Sequence, residues 1–118
     1  MIVVFDLNSD LTRSVLGAAM GNLAETYGKL GRHQDALVLQ EKTLEFQQRV
    51  LPENHPDIGI SCYNISSSYG RAGNFHSAIE RAREALRIWQ AALPPSHPHI
   101  KMAQERVRQL EGDITRRT

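Results

Sequence analysis

The clearest alternation of apolar and polar positions lies between residues 58 and 73. Apolar or small side chains recur there at steps of three and four, which places on one face of a helix Cys62, Ile65, Ser66 and Tyr69. A second face carries a mixed polar set, namely Ile60, Tyr63, Asn64, Ser67 and Arg71. The first face suits packing against another helix and the second suits binding. Gly73 follows the pattern and predicts the end of the helix.

This helical pattern has a copy on each side of it. A shift of 42 residues pairs Tyr27 with Tyr69 and Asn22 with Asn64. The same shift superposes the expected turns, pairing Gly31 with Gly73, Leu51-Pro52 with Leu93-Pro94, and His55-Pro56 with His97-Pro98. Because the matches fall on turns and core positions together, the period predicts a solenoid of repeated units.

The repeat predicts an all-α chain of about five helices, joined in pairs by glycine turns. We expect helices over residues 10–30, 34–51, about 58–73, 75–93 and 99–112. Pro56 suits a first helical position, where no backbone donor is needed, and Pro52 ends the preceding helix. The expected inward residues of the two second helices are Ala36, Leu37, Thr43, Leu44, Val50, Ala78, Ile79, Ala82, Ala85, Leu86 and Trp89.

The period also divides the chain into segments. Residues 10–51 form the first predicted repeat, residues 52–93 the second, and residues 94–112 a capping helix. The cap is indicated by Arg108 and Glu111, which stand where the repeats have a small residue and a tyrosine. Residues 1–9 are either an extension, with an apolar run that could be a strand, or the remnant of a preceding repeat. Residues 113–118 are expected to be a disordered tail.

Composition narrows the function classes. With 14 basic against 13 acidic residues, the chain lacks the basic excess that nucleic-acid or membrane-surface binding requires. No apolar run approaches the length of a membrane span. The single cysteine, Cys62, cannot form an internal disulfide, which favours a reducing, cytoplasmic compartment and a buried structural thiol.

Candidate catalytic chemistry is sparse. The sequence has no glycine-rich phosphate loop, no paired carboxylates on one face and no Ser/His/Asp set, so we expect neither an enzyme nor a cofactor. His97 and His99 resemble a metal-ligand pair, but no acidic or thiol cluster accompanies them. Since His55 and His97 recur with the loop, we interpret them as residues packed at helix starts and expect no metal site.

The motif Asn22-Leu23-Ala24-x-x-Tyr27, followed by Gly31 and Ala36, resembles the tetratricopeptide repeat. The second unit repeats this set with Asn64, Ile65, Ser66, Tyr69, Gly73 and Ala78. The long spacing and the turn His55-Pro56-Asp57 are similar to the kinesin light chain subtype, whereas His97-Pro98-His99 departs at its last position. The resemblance covers roughly residues 15–107.

The resemblance implies a right-handed superhelix whose concave groove binds an extended peptide or a partner helix. The groove positions that it assigns on this chain are Asn22, Glu25, Lys29, Tyr63, Asn64, Ser67, Arg71, Arg106 and Gln109. In this family the asparagine often bonds the ligand backbone or a carboxylate. The basic members, Lys29, Arg71 and Arg106, favour an acidic peptide if they are more than solvated surface.

Two functions remain open. The first is a scaffold that binds a protein or peptide in the groove. The second is a structural or assembly segment, whose end surfaces stack on further repeats or on another copy of the chain. Two repeats and a cap fall below the roughly three repeats that such arrays usually need, which favours a fragment or a homo-oligomer.

Overall fold

The computed structural model describes the backbone of residues 10–117 and the side chains of residues 16–117. It contains five helices, α1 (Asp10–Lys29), α2 (His33–Val50), α3 (Pro56–Arg71), α4 (Phe75–Ala92) and α5 (Pro98–Arg117). No strand occurs within this range, which confirms the predicted all-α fold of five helices. The expectations for residues 1–9 lie outside the described residues.

The helices form two compact units, the first ending at Glu53 and the second beginning at Asn54. In the first unit, α1 packs against α2. The buried side chains of this unit are Ala24, Ala36, Thr43, Leu44, Gln47 and Leu51. Gln47 stands 42 residues before Trp89, and a Cβ atom on Gly17 would lie 2.9 Å from its amide nitrogen. A polar side chain therefore fills the position that an indole ring fills in the second unit.

Both helical pairs turn in the same way. Gly31 and Gly73 each have φ of +79°, a left-handed conformation that glycine adopts without strain. The N–H of Arg32 donates to the carbonyl of Tyr27 at 2.9 Å, and the N–H of Asn74 donates to that of Tyr69 at 2.9 Å. These identical bonds confirm the predicted turns at the two glycines.

The histidine loops begin α3 and α5. His55 Nδ1 accepts the N–H of Asp57 at 3.1 Å, and His97 Nδ1 accepts the N–H of His99 at 3.1 Å. Each imidazole thus satisfies a backbone donor that the helix leaves unpaired. This confirms the interpretation of these histidines as helix-start residues. Among the described side chains, no group of three His, Cys, Asp or Glu residues could hold a metal ion.

In the second unit, α4 packs against both α3 and α5. Its core includes Ile65, Cys62, Ala78, Ala82, Ala85, Ile88, Trp89, Ala103 and Leu110. Trp89 is 1% exposed, and its indole Nε1 donates to the carbonyl of Pro56 at 3.1 Å. A Cβ atom on Gly59 would lie 2.4 Å from that nitrogen, so α3 approaches the ring closely because residue 59 has no side chain.

Small residues bring α3 and α4 together. Ser66 and Ala78 are both fully buried, and Ser66 Oγ donates to the carbonyl of Ala78 at 2.7 Å. This contact explains why the repeat needs small residues at both positions. A larger side chain at either one would separate the two helices and break the hydrogen bond.

We expect Ala78→Leu to lower the free energy of unfolding by about 1–3 kcal/mol, because the packed site has no room for three more carbon atoms. Urea denaturation measures the change. Ala91→Leu is the matched control, since Ala91 is exposed on the same helix. Equal midpoints for the two variants would contradict the packing of α3 on α4.

The predicted end of α5 at Gly112 is wrong. The helix continues to Arg117, so residues 113–117 are not the disordered tail that the sequence suggested, and Thr118 lies outside the described residues. Ile114 packs against the buried cluster that includes Ala78 and Leu110. The guanidinium of Arg117 lies 4.6 Å from the ring centre of Phe75. These tertiary contacts stabilise a turn whose sequence is mostly polar.

Candidate functional site

An open groove of about 220 Å³ lies between α3 and α5 in the second unit. Its lining residues are Ser67, Gly70, Arg71, Phe75, Arg106, Gln109, Leu110 and Asp113. Four of the predicted binding residues are therefore brought together here: Ser67, Arg71, Arg106 and Gln109. The repeat places them on corresponding faces of two helices, and the packing of α3 and α5 on α4 brings those faces side by side.

Arg106 connects the two helices across the groove. Its Nη2 donates to Ser67 Oγ at 3.2 Å, and its Cζ lies 5.3 Å from the ring centre of Tyr63. Ser67 Oγ in turn donates to the carbonyl of Tyr63 at 3.3 Å. Arg106 is half-buried, and one hydrogen bond and one cation–π contact hold its guanidinium.

Tyr63 links this arrangement to the core. Its ring centre lies 5.8 Å from that of Trp89, which lies 4.7 Å from that of His99. Because Trp89 is buried and hydrogen-bonded to Pro56, the ring of Tyr63 packs on a fixed partner. The predicted binding residue Tyr63 therefore has a structural neighbour on the inside and Arg106 as a neighbour in the groove.

Basic side chains outnumber acidic ones in the groove, because Arg71 and Arg106 line it together with Asp113. Within residues 16–117, neither Arg71 nor Arg106 forms an ion pair with a carboxylate. The nearby acid Asp113 is paired with Arg116 on its own helix. A carboxylate entering the groove would thus find guanidinium groups with hydrogen-bonding capacity to spare.

Asn64 is exposed on α3 next to Tyr63, and it does not line the groove. Two apolar side chains of the same unit, Ile60 and Met102, are also exposed. Met102 and Asp113 were missed in the sequence analysis. The 42-residue shift could have found them, since it pairs Met102 with Ile60 and Asp113 with Arg71.

The other three predicted residues, Asn22, Glu25 and Lys29, are exposed on α1 of the first unit. Lys29 Nζ lies 3.5 Å from Glu25 Oε1, one helical turn away. An exposed pair of this kind contributes little to stability and leaves both groups accessible. Asn22, Glu25 and Lys29 belong to the first unit, which ends at Glu53, whereas the groove residues belong to the second unit.

A second open groove, of about 340 Å³, lies along α4 and the end of α3. It is lined by Tyr69, Ser77, Glu80, Arg81 and Glu84. The hydrogen bond from Arg87 lowers the pKa of Glu84 below its ordinary value and outweighs the opposing effect of burial. Arg87 also donates to Asn54 Oδ1 at 2.9 Å. The carboxylate of Glu84 is therefore already bound by an arginine that has a second structural contact.

The sequence of this chain matches a known protein family. Residues 15–91 match the model of the tetratricopeptide repeat. No curated protein matches the sequence. Among the described residues, no helix combines the length and the apolar character needed to cross a membrane.

Solved structures share the fold. One is a crystal structure of putative kinesin light chain nearly identical TPR-like repeats from Podosopora anserina, with a TM-score of 0.73 and 22% sequence identity. A variant of that protein with one substituted residue has a TM-score of 0.74 at the same identity. Each match covers 84% of this chain and 47% of the other, so the present chain spans less than half the length of those proteins.

Proposed function

This chain belongs to the tetratricopeptide repeat family, with kinesin light chain-like repeats, and we propose that it is a scaffold that binds an acidic peptide or partner helix in the groove between α3 and α5. Repeats of this family generally mediate protein–protein interactions and are typically not enzymes. The ligand would be an extended segment or a helix of a partner protein. No cofactor is needed for this role.

The observation that carries the proposal is the pair of guanidinium groups, Arg71 and Arg106, in one groove without a carboxylate partner among the described residues. Arginine binds carboxylates through two parallel hydrogen bonds, which makes it suited to acidic side chains. Ile60 and Met102 add apolar surface on the same two helices. The single buried cysteine, Cys62, supports a reducing, cytoplasmic setting.

A second candidate function is assembly with further repeats or with a second copy. It is favoured by three exposed apolar side chains of the first unit, Leu23 (48%), Leu30 (68%) and Val38 (52%). Exposed apolar surface favours association when a partner covers it. Measurement of the solution mass over a range of protein concentrations separates the two candidates. The mass rises with concentration only if copies of the chain associate with one another.

We expect Arg71→Ala to weaken binding of an acidic peptide about tenfold or more, because a hydrogen bond to a charged group is worth about 1.5–3 kcal/mol. Asn64→Ala should weaken binding as well, through loss of a side-chain amide that can pair with a peptide group. Titration of one peptide against each variant measures both effects. Added salt should weaken wild-type binding, because the attraction is between exposed charges.

Arg83→Ala is the control, since Arg83 is an exposed arginine on α4 that pairs with Glu111 and does not line the groove. It should bind like wild type. If Arg71→Ala and Arg106→Ala, which both remove an arginine that lines the groove, also bind like wild type, the groove is not the binding site and assembly becomes the leading function.

A further inference from the structure

We propose that Arg106 is the group that binds the ligand carboxylate, and that Tyr63 and Ser67 are positioning residues that act on the ligand through Arg106. This inference rests on the proposed function. Within the proposed site, it assigns the contact with the ligand carboxylate to Arg106 and a positioning role to Tyr63 and Ser67. It differs from the sequence-based expectation, in which Tyr63 and Ser67 contact the peptide directly.

The direction of the hydrogen bonds supports this division. The hydroxyl of Ser67 donates to the carbonyl of Tyr63, so its only proton is used within α3. In this arrangement the oxygen acts as an acceptor, and Arg106 Nη2 donates to it at 3.2 Å. A carboxylate has no proton to donate and would be repelled by this oxygen. Ser67 therefore assists an acidic ligand through the arginine that it holds.

The ring of Tyr63 supports the same conclusion. Arg106 Cζ lies 5.3 Å from its centre, and Trp89 contacts the ring as well. Trp89 is fixed by the core and by its bond to Pro56. A continuous series of contacts thus connects the core of the second unit to the guanidinium. Holding a long side chain in place before binding reduces the conformational entropy that the ligand must overcome.

The guanidinium keeps enough donors to bind. It has five N–H groups, and the bond to Ser67 uses one of them. Arg106 also stands 42 residues after Asn64, at the position where both complete repeats have an asparagine. The cap helix therefore replaces a neutral amide with a cation at this position. On this reading α5 is part of the binding site as well as the end of the repeat array.

The positioning can be tested without a ligand by NMR. In the wild-type chain, the ring current of Tyr63 should shift the δ-methylene protons of Arg106 upfield. Tyr63→Phe keeps the ring and should keep the shift, whereas Tyr63→Leu should abolish it. The absence of an upfield shift in the wild type would overturn the proposal, because the guanidinium would not then reside on the ring.

A double-mutant cycle with a probe ligand tests the role of Ser67. The probe is a synthetic eight-residue peptide of glycine and serine with two central glutamates, and its glutamine analogue is the uncharged control. We expect Arg106→Ala to weaken binding of the acidic probe about tenfold or more. Ser67→Ala and Tyr63→Leu should each weaken it about three- to tenfold. Ser67→Thr and Tyr63→Phe, which keep the hydroxyl and the ring, should bind like wild type.

The cycle separates positioning from direct contact. If Ser67 acts through the arginine, Ser67→Ala should have no further effect in the Arg106→Ala background, since the two residues form one interacting group. Additive effects of the two substitutions would overturn the proposal. So would weaker binding of Tyr63→Phe, which would assign the contact to the tyrosine hydroxyl.

Failure of this inference can be told apart from failure of the proposed function. If Arg71→Ala weakens binding while Arg106→Ala does not, the groove is the site and Arg106 is not its anion-binding group. If none of the substitutions in the groove changes the affinity, the proposed function itself is wrong. Circular dichroism spectra of all variants should match the wild type, because the substituted groups lie outside the buried core.

Discussion

Trp89→Ala should lower the free energy of unfolding by about 3–5 kcal/mol, the usual cost of removing a large aromatic side chain from a core. Trp89 is 1% exposed and contacts the rings of Tyr63 and His99. Removing it leaves a cavity and also leaves the carbonyl of Pro56 without its indole donor. Because small domains are stable by only about 5–15 kcal/mol, this single change removes a large share of the total.

Urea denaturation followed by circular dichroism measures the effect, since the variant loses the only tryptophan and with it the fluorescence signal. Gln90→Ala is the control, because Gln90 is the exposed next residue of α4. It should leave stability within about 0.5 kcal/mol of wild type. A loss below about 1 kcal/mol for Trp89→Ala would show that the ring is not the centre of the core that we describe.

Gly59→Ala should lower the free energy of unfolding by about 2–4 kcal/mol, although alanine is the better helix former by about 1 kcal/mol. The new Cβ atom would lie 2.4 Å from Nε1 of Trp89 and 2.8 Å from two ring carbons. The indole is rigid and buried, so it cannot move aside as a flexible chain would. Its displacement would also stretch the hydrogen bond to Pro56.

Gly70→Ala is the matched control for this substitution, because it makes the same change in the same helix. A Cβ atom at residue 70 would meet only Leu110 Cδ2 at 4.0 Å, which is an ordinary contact. We expect this variant to gain about 0.5–1 kcal/mol from helix propensity. Equal stability of Gly59→Ala and Gly70→Ala would contradict the close approach of α3 to Trp89.

These two stability predictions also bear on binding. Trp89 packs under Tyr63, and Tyr63 packs against Arg106. A variant that shifts the indole should therefore alter the groove even where the unit remains folded. The core of the second unit and its candidate site share residues, so stability and affinity should be measured on the same variants.

The architecture could be predicted from the sequence because its signals are local. Gly31 and Gly73 recur where the chain needs a left-handed turn, and the histidine loops recur where a helix must begin. Both depend on backbone geometry within a few residues, so the 42-residue period reveals them without knowledge of the packing.

The binding residues were only partly predictable. The period placed Ser67, Arg71, Arg106 and Gln109 on equivalent helix faces, and the structure brings these four together. It did not reveal which of them contact one another. The contact of Arg106 with Tyr63 and Ser67 joins residues about 40 positions apart, and it depends on how α5 packs against α4.

By itself, then, the sequence determined the number of helices, their turns and the small residues between α3 and α4, because these follow from local propensity and repetition. Tertiary structure alone decided that α5 extends to Arg117, since Ile114 and Arg117 are held by side chains of α4. It also decided that Gly59 must lack a side chain, because the position of Trp89 excludes one. Long-range packing of this kind has no signature in a local pattern of polar and apolar residues.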